Sequence, residues 1–260
     1  MEWSDEKKKF LLEKFECFRL GNSDVNTLRI LLHGPVGAGK SSFFNSVDSA
    51  LKGRITGRAL ADSMSGTSFT IKPNIYKLKM EETTLPIELI DTRGMENESG
   101  IGMKIDDIVR ILQGHFENES DQPKNAEKNK PLKDKIHCLV SVLPANNISI
   151  MGDDVIIQMR NIRLKARDFG IPQAMIVTKV DEACPEVLKN IRNIYSSRKI
   201  KQKMEECCQR LGVPMSYIYP VKNYHKEQTT NTEIDILILQ GMLNIVNFAK
   251  DYVDDQRDSY

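Results

Sequence analysis

A chain of 260 residues and 29.6 kDa, with 37 Lys plus Arg against 36 Asp plus Glu, carries a formal charge of +1. Its 40 % hydrophobic content can build a sizeable core, which argues against disorder, and the charge balance excludes a nucleic-acid binder working by bulk positive charge. Five cysteines, odd in number and without a C-x-x-C pair, support neither a disulfide scaffold nor a zinc site, so the reducing cytoplasm is the expected compartment.

The N-terminus turns charged within a few residues, unlike a secretory signal, and the longest uncharged apolar-rich run, Ile236 to Ala249, is shorter than the ~20 residues that span a bilayer. No transmembrane segment is expected. Phe10, Leu11, Phe15 and Phe18 share a face over residues 4–20, which predicts an amphipathic helix stopped by Gly21. Thr27–His33 reads as a short buried strand, and Lys40–Leu51 as a helix presenting Phe43, Phe44, Val47 and Leu51 to a sheet. Residues 53–68, rich in Gly, Ser, Thr and Asp without a period, are expected to form a loop. Strands at Phe69–Met80 and Pro86–Ile90 follow, joined by the polar turn 81–84, then a helix near 104–116.

Residues 117–135 hold five acidic and five basic side chains, with Ala126 and Leu132 as their apolar non-proline residues, the composition of a solvated, disordered insertion. Beyond it the pattern predicts a strand at Ile136–Leu143, a helix over 151–169 closed by Gly170 and Pro172, and a strand at Ala174–Val177. Helical segments across 186–211, a strand at Ser216–Val221 and a helix over 232–252 complete the chain. Strands alternating with helices predict an α/β fold with a mostly parallel sheet, helices on both faces and one antiparallel edge strand from the 69–90 hairpin.

Between the first strand and the second helix, Gly34-Pro-Val-Gly-Ala-Gly-Lys40-Ser41 matches G-x-x-x-x-G-K-S in the context that motif requires. Gly34, Val36, Gly37, Ala38 and Gly39 form the expected phosphate cradle, because glycines let the backbone wrap closely and aim its N–H groups inward at a helix N-terminus. Lys40 supplies a cation to the β- and γ-phosphates, Ser41 a hydroxyl to Mg²⁺, and Ser42 reaches the α-phosphate. The glycine spacing does not fit the dinucleotide pattern G-x-G-x-x-G. Such a loop establishes nucleoside triphosphate binding but leaves the base open.

Two further signals address the base and the metal. The strand Ile87–Asp91 delivers Asp91 at its end, placed to hold a Mg²⁺-bound water, and Gly94 offers its N–H to a γ-phosphate. After the buried run Ala174–Val177 comes Thr178-Lys179-Val180-Asp181. A carboxylate at Asp181 can accept from guanine N1–H and the N2 amine, a donor pair adenine lacks, while Lys179 can lie over the base and brace the phosphate loop. Order and context together point to guanine nucleotide.

With these residues the chain resembles translation-factor-like GTPases and, more closely, the nucleotide-binding half of the interferon-induced 44-kDa protein group. The likeness rests on Arg29–Val47, Leu132–Cys138, Thr178–Asp181 and Asp235–Leu239 and covers about residues 8–252. It implies a P-loop NTPase G domain with a six-stranded sheet, in a cytosolic, interferon-inducible protein of antiviral defence that self-associates into filaments. Full-length members of the group carry a further N-terminal domain. The expected organisation is a helical appendage over 1–26, the G domain over 27–254 and a tail over 255–260.

The pattern also departs from efficient GTPases. Met95 stands where many place a glutamine that orients the attacking water, and Val36 stands at a loop position where small signalling GTPases carry glycine. Both predict slow hydrolysis without a partner. Thr70 and Thr67 each lie at a suitable distance before Asp91 to cap Mg²⁺; Thr70 is preferred because Thr67-Ser-Phe-Thr70 resembles the matching segment of immunity-associated GTPases. Arg93 is either a cis arginine beside the γ-phosphate or a solvated side chain. The last guanine-contacting loop should follow Tyr219-Pro-Val221, with Asn223 as its candidate. The readings that follow are a Mg²⁺-dependent GTP/GDP switch with slow hydrolysis, a nucleotide-bound assembly scaffold with little turnover, and a P-loop ATPase.

Overall fold

The computed structural model describes residues 1–21, 24–59, 73–92, 105–116 and 130–257. The first strand, β1 (Leu28–His33), is buried at five of its six positions because both of its faces are covered, and so it reads as a nearly continuous apolar run. Strand alternation sorts its side chains: Leu28, Ile30 and Leu32 enter one core layer and Leu31 the other. Around it lie β2 (Asn74–Met80), β3 (Thr83–Asp91), β4 (Cys138–Pro144), β5 (Gln173–Thr178) and β6 (Ile218–Pro220), in the order β2-β3-β1-β4-β5-β6. Every neighbouring pair is parallel except β2 and β3, an antiparallel hairpin whose turn places Glu81 at φ 51°. The expected six-stranded, mostly parallel sheet with one antiparallel edge is the observed one.

Helices cover both faces. On one, α1 (Asp5–Glu16), α2 (Lys40–Lys52) and α8 (Thr232–Arg257) bury Leu11, Phe15, Phe43, Phe44, Ile238 and Met242 against the sheet. On the other, α3 (Ile105–Leu112), α4 (Asp153–Asp168) and α7 (Arg198–Leu211) bury Ile108, Met159, Ile162, Cys207 and Leu211, and the short helices α5 (Val180–Ala183) and α6 (Pro185–Lys189) lead from β5 toward α7. The terminal helices pair: Lys8 Nζ sits 2.7 Å from the buried Asp235 carboxylate, and Thr232 Oγ1 donates to Asp5 at 2.8 Å.

Several boundaries differ from the sequence expectation for local reasons. Helix α1 ends at Glu16, where the Cys17 N–H caps back onto the Glu13 and Phe15 carbonyls, four residues short of the expected stop. The β2–β3 turn takes two residues instead of four, since Thr83 and Thr84 already pair with Met80 and Lys79. Strand β6 shrinks to Ile218–Pro220 because Met215–Tyr217 winds into a 3-10 turn after Pro214. Helix α8 runs on to Arg257, burying Val253. Most of the charged 117–135 stretch lies outside the described residues. Its last part, Leu132–Asp134, is a 3-10 turn whose Asp134 carbonyl accepts from Arg29 Nη1 at 2.8 Å.

Candidate functional site

The C-terminal ends of β1, β3, β5 and β6 point the same way, and the loops that leave them converge, the place where open parallel sheets bind ligands. The loop after β1 runs into α2 with Gly37 at φ 72° and Gly39, the N-cap of α2, at φ 91°. Gly34 is the most constrained of these residues: a Cβ there would sit 2.2 Å from the Val142 carbonyl oxygen, with φ at 153°. Gly34→Ala is therefore expected to lower stability by about 1–3 kcal/mol through overpacking, seen as a reduced urea midpoint; an unchanged midpoint would mean that the loop yields freely.

Lys40 is 4 % exposed, and its Nζ donates to the Gly34 and Pro35 carbonyls at 3.2 Å each. It folds over its own loop, where a polyphosphate would meet it. Ser41 Oγ donates to Asp91 Oδ2 at 2.5 Å, bringing the hydroxyl that opens α2 to the carboxylate that closes β3. Two hard oxygen donors side by side are the donor type Mg²⁺ takes. Among the described residues no cluster of three or more His, Cys, Asp or Glu forms a protein-only metal cage. Beneath the loop, burial first and then the Lys40 and Arg163 cations push His33 down to about 3, so the imidazole stays neutral beside its 2.8 Å partner Ser141.

The base-side segment is braced against the phosphate loop. Thr178 Oγ1, fully buried, donates to the Ala38 carbonyl at 2.6 Å, and Lys179 adopts the left-handed conformation at φ 56° that turns the chain into α5. Asn223 Nδ2 donates to the Gly39 carbonyl at 3.1 Å, so this side chain holds the loop from the β6 side, and its buried Oδ1 has no hydrogen-bond partner among the described residues. Gly37, Gly39, Lys40, Ser41, Ser42, Lys179, Asp181 and Asn223 all line one cleft of about 560 Å³. Val36 stands at the loop tip, 48 % exposed. Gly94 and Thr70, with Thr67, Arg93 and Met95, lie outside the described residues.

Other cleft residues carried no signal in the sequence. Tyr224 donates its N–H to Ser46 Oγ at 2.9 Å and its hydroxyl to Asp235 at 2.6 Å, tying the loop after β6 to α2 and α8. Lys222 and Glu227 form an ion pair of 2.8 Å, with Lys222 Nζ 3.9 Å from Asp181. No local pattern announces the Tyr224–Ser46 contact, because its partners are more than a hundred residues apart. On the opposite flank of α2, buried Asp48 takes Lys52 and Arg58 at 2.8 Å each, and Asn45 pairs with both backbone groups of Ala59. This part of the expected 53–68 loop is thereby fastened to the helix.

A family model described as septin matches residues 25–238, from just before β1 into the first two turns of α8. The chain belongs to the septin family. Among curated relatives, human interferon-induced protein 44-like is 34 % identical over 96 % of this chain, and mouse interferon-induced protein 44 is 31 % identical over 94 %. The chain spans 58 % of the length of the first and 60 % of the second, a little over half of each. The resemblance to the interferon-induced 44-kDa group is thus borne out. The solved structure of Toc33 from Arabidopsis thaliana in complex with GDP and Mg²⁺ aligns over 97 % of this chain and 93 % of that one, at 17 % identity and a TM-score of 0.49, too slight a likeness to build on. The septin-type domain and the cleft together support a GTP-binding P-loop protein. Among the described residues no helix is long and apolar enough to cross a membrane.

Proposed function

We propose that this chain is a guanine-nucleotide switch that binds GTP and GDP with Mg²⁺ and hydrolyses GTP slowly. The observation that carries the reading is the convergence of Lys40, Ser41, Lys179 and Asp181 on one cleft, with Thr178 bracing the loop from beneath. Lys40 neutralises the terminal phosphates, the loop N–H groups hold their oxygens, and Asp181 selects guanine. Ser41 and Asp91 would hold the Mg²⁺, which supplies charge neutralisation between the β- and γ-phosphates. Gly94 would receive the γ-phosphate, and Thr70 would close over the metal. The relatives named for interferon induction favour a place in the interferon response, and we propose with it a cytoplasmic location, an antiviral role and self-association.

Met95, following Gly94, favours a second reading, an assembly scaffold that retains nucleotide with little turnover, since a thioether cannot orient a water. Phosphate release from purified chain tests both. Turnover at or below ~10⁻³ per second, abolished by chelating Mg²⁺, is the expected result for the switch. No release above the no-protein control would favour the scaffold, and more than about one GTP per second would overturn slow hydrolysis.

A further inference from the structure

Asp235, in the first turn of α8, is a fully buried carboxylate that belongs to none of the nucleotide motifs. Its two oxygens face different elements. Oδ2 lies 2.7 Å from Lys8 Nζ on α1, and Oδ1 accepts from the Tyr224 hydroxyl at 2.6 Å, in the loop after β6. The Asn231 carbonyl stands 3.1 Å from the same hydroxyl, so two acceptors compete for its one proton. Burial, with the Asp235 anion adding to it against the Asn231 bond, pushes the phenol upward, and it remains a donor. From Tyr224 the contacts lead into the phosphate loop. Its N–H donates to Ser46 Oγ at 2.9 Å, Ser46 Oγ donates to the Ser42 carbonyl at 2.7 Å, and the neighbouring Asn223 amide holds the Gly39 carbonyl at 3.1 Å. Gly39 and Ser42 both line the cleft. A continuous run of polar contacts thus joins the first helix to the first turn of α2.

We propose that Asp235 and Tyr224 are positioning residues for the phosphate loop and that Lys8 sets them, so that docking of α1 on α8 governs how long nucleotide is retained. The inference rests on the nucleotide-binding reading above. A carboxylate sealed from water is tolerated where a cation and a donor hold it together, and losing one of them leaves a charge uncompensated. With Lys8 withdrawn, the Asp235 charge must be met by water, which opens the seam between α1, α8 and the loop after β6. The Tyr224 hydroxyl then passes to the Asn231 carbonyl, and the loop that braces Gly39 and Ser46 loses its anchor on α8. Leu11 and Phe15 attach α1 by packing alone and carry no polar group into this run. By linkage the dependence is mutual, so nucleotide in the cleft should tighten α1 in return.

The test is release of a fluorescent GDP from the full chain, chased with unlabelled GDP, with the urea midpoint of each variant measured alongside. Lys8→Met should speed release by about tenfold, within the usual range of coupling between sites, and Lys8→Arg should restore the wild-type rate. Leu11→Ala, which opens a cavity under the same helix but keeps the ion pair, should lower the midpoint without speeding release. Asp235→Asn removes the buried charge and keeps an acceptor for Tyr224, so in that background Lys8→Met should have no further effect. A second measurement needs no variant: bound GDP should slow amide exchange over Asp5–Glu16 in the wild-type chain. Unchanged release in Lys8→Met overturns the proposal, as does equal acceleration by Leu11→Ala, which would show general loosening. Amide exchange of α1 that is indifferent to GDP overturns it too. A wild-type chain that takes up no GDP would instead remove the nucleotide reading itself.

Discussion

Lys40→Ala should remove most of the nucleotide affinity while leaving the fold in place. The ammonium is buried over its own loop on the Gly34 and Pro35 carbonyls, so a polyphosphate would exchange two neutral acceptors for clustered negative charge. That exchange makes the lysine worth far more in the complex than in the free chain. GTP affinity should drop by at least tenfold, about 1.4 kcal/mol or more. Phe43, Phe44 and Val47 still bury the sheet-facing side of α2, so far-UV circular dichroism should hardly change. Near-wild-type affinity, measured by titration of the folded variant, would remove Lys40 from the phosphate site.

Asp181→Asn should exchange a guanine preference for a xanthine one. On the proposed reading the carboxylate would accept twice from guanine, whereas asparagine would keep one acceptor and put an amide donor opposite the N2 amine. Two donors facing each other at a base edge cost roughly 1–3 kcal/mol, or about a tenfold to hundredfold loss of GTP affinity. Xanthine presents a carbonyl at that carbon and recovers the bond. Lys222, 3.9 Å from Asp181, loses a neighbouring anion in the variant but keeps Glu227 at 2.8 Å. Competition of GTP and XTP for the variant checks the exchange. GTP binding as tight as in wild type would mean that Asp181 does not read the base.

Much of this was legible in the sequence because it is local. The G-x-x-x-x-G-K-S run, the strand before it and the helix after it are neighbours in the chain, and their chemistry depends on backbone N–H groups that glycine exposes. The sheet was legible for the same reason: buried parallel strands are short apolar runs, and each lay between turn or helix signals. Asn223 shows where local reading stops. Its position beside the cleft followed from the end of the last strand, but its bond to Gly39, 184 residues away, depends on how that strand docks. The Lys222–Glu227 pair had no signal either, since a lysine and a glutamate five apart in a polar loop look like any solvated charges until the fold sets them against Asp181. Strand β6 was overestimated because the Met215–Tyr217 turn is imposed by Pro214 and packing, while apolar residues there suit strand and turn equally.

The central claim is that the cleft takes guanine nucleotide, and the most direct measurement is the identity of the nucleotide that co-purifies with the chain, read by chromatography after denaturation. GDP or GTP in amounts approaching one per chain is the result this account requires. ATP or ADP at that occupancy would contradict it.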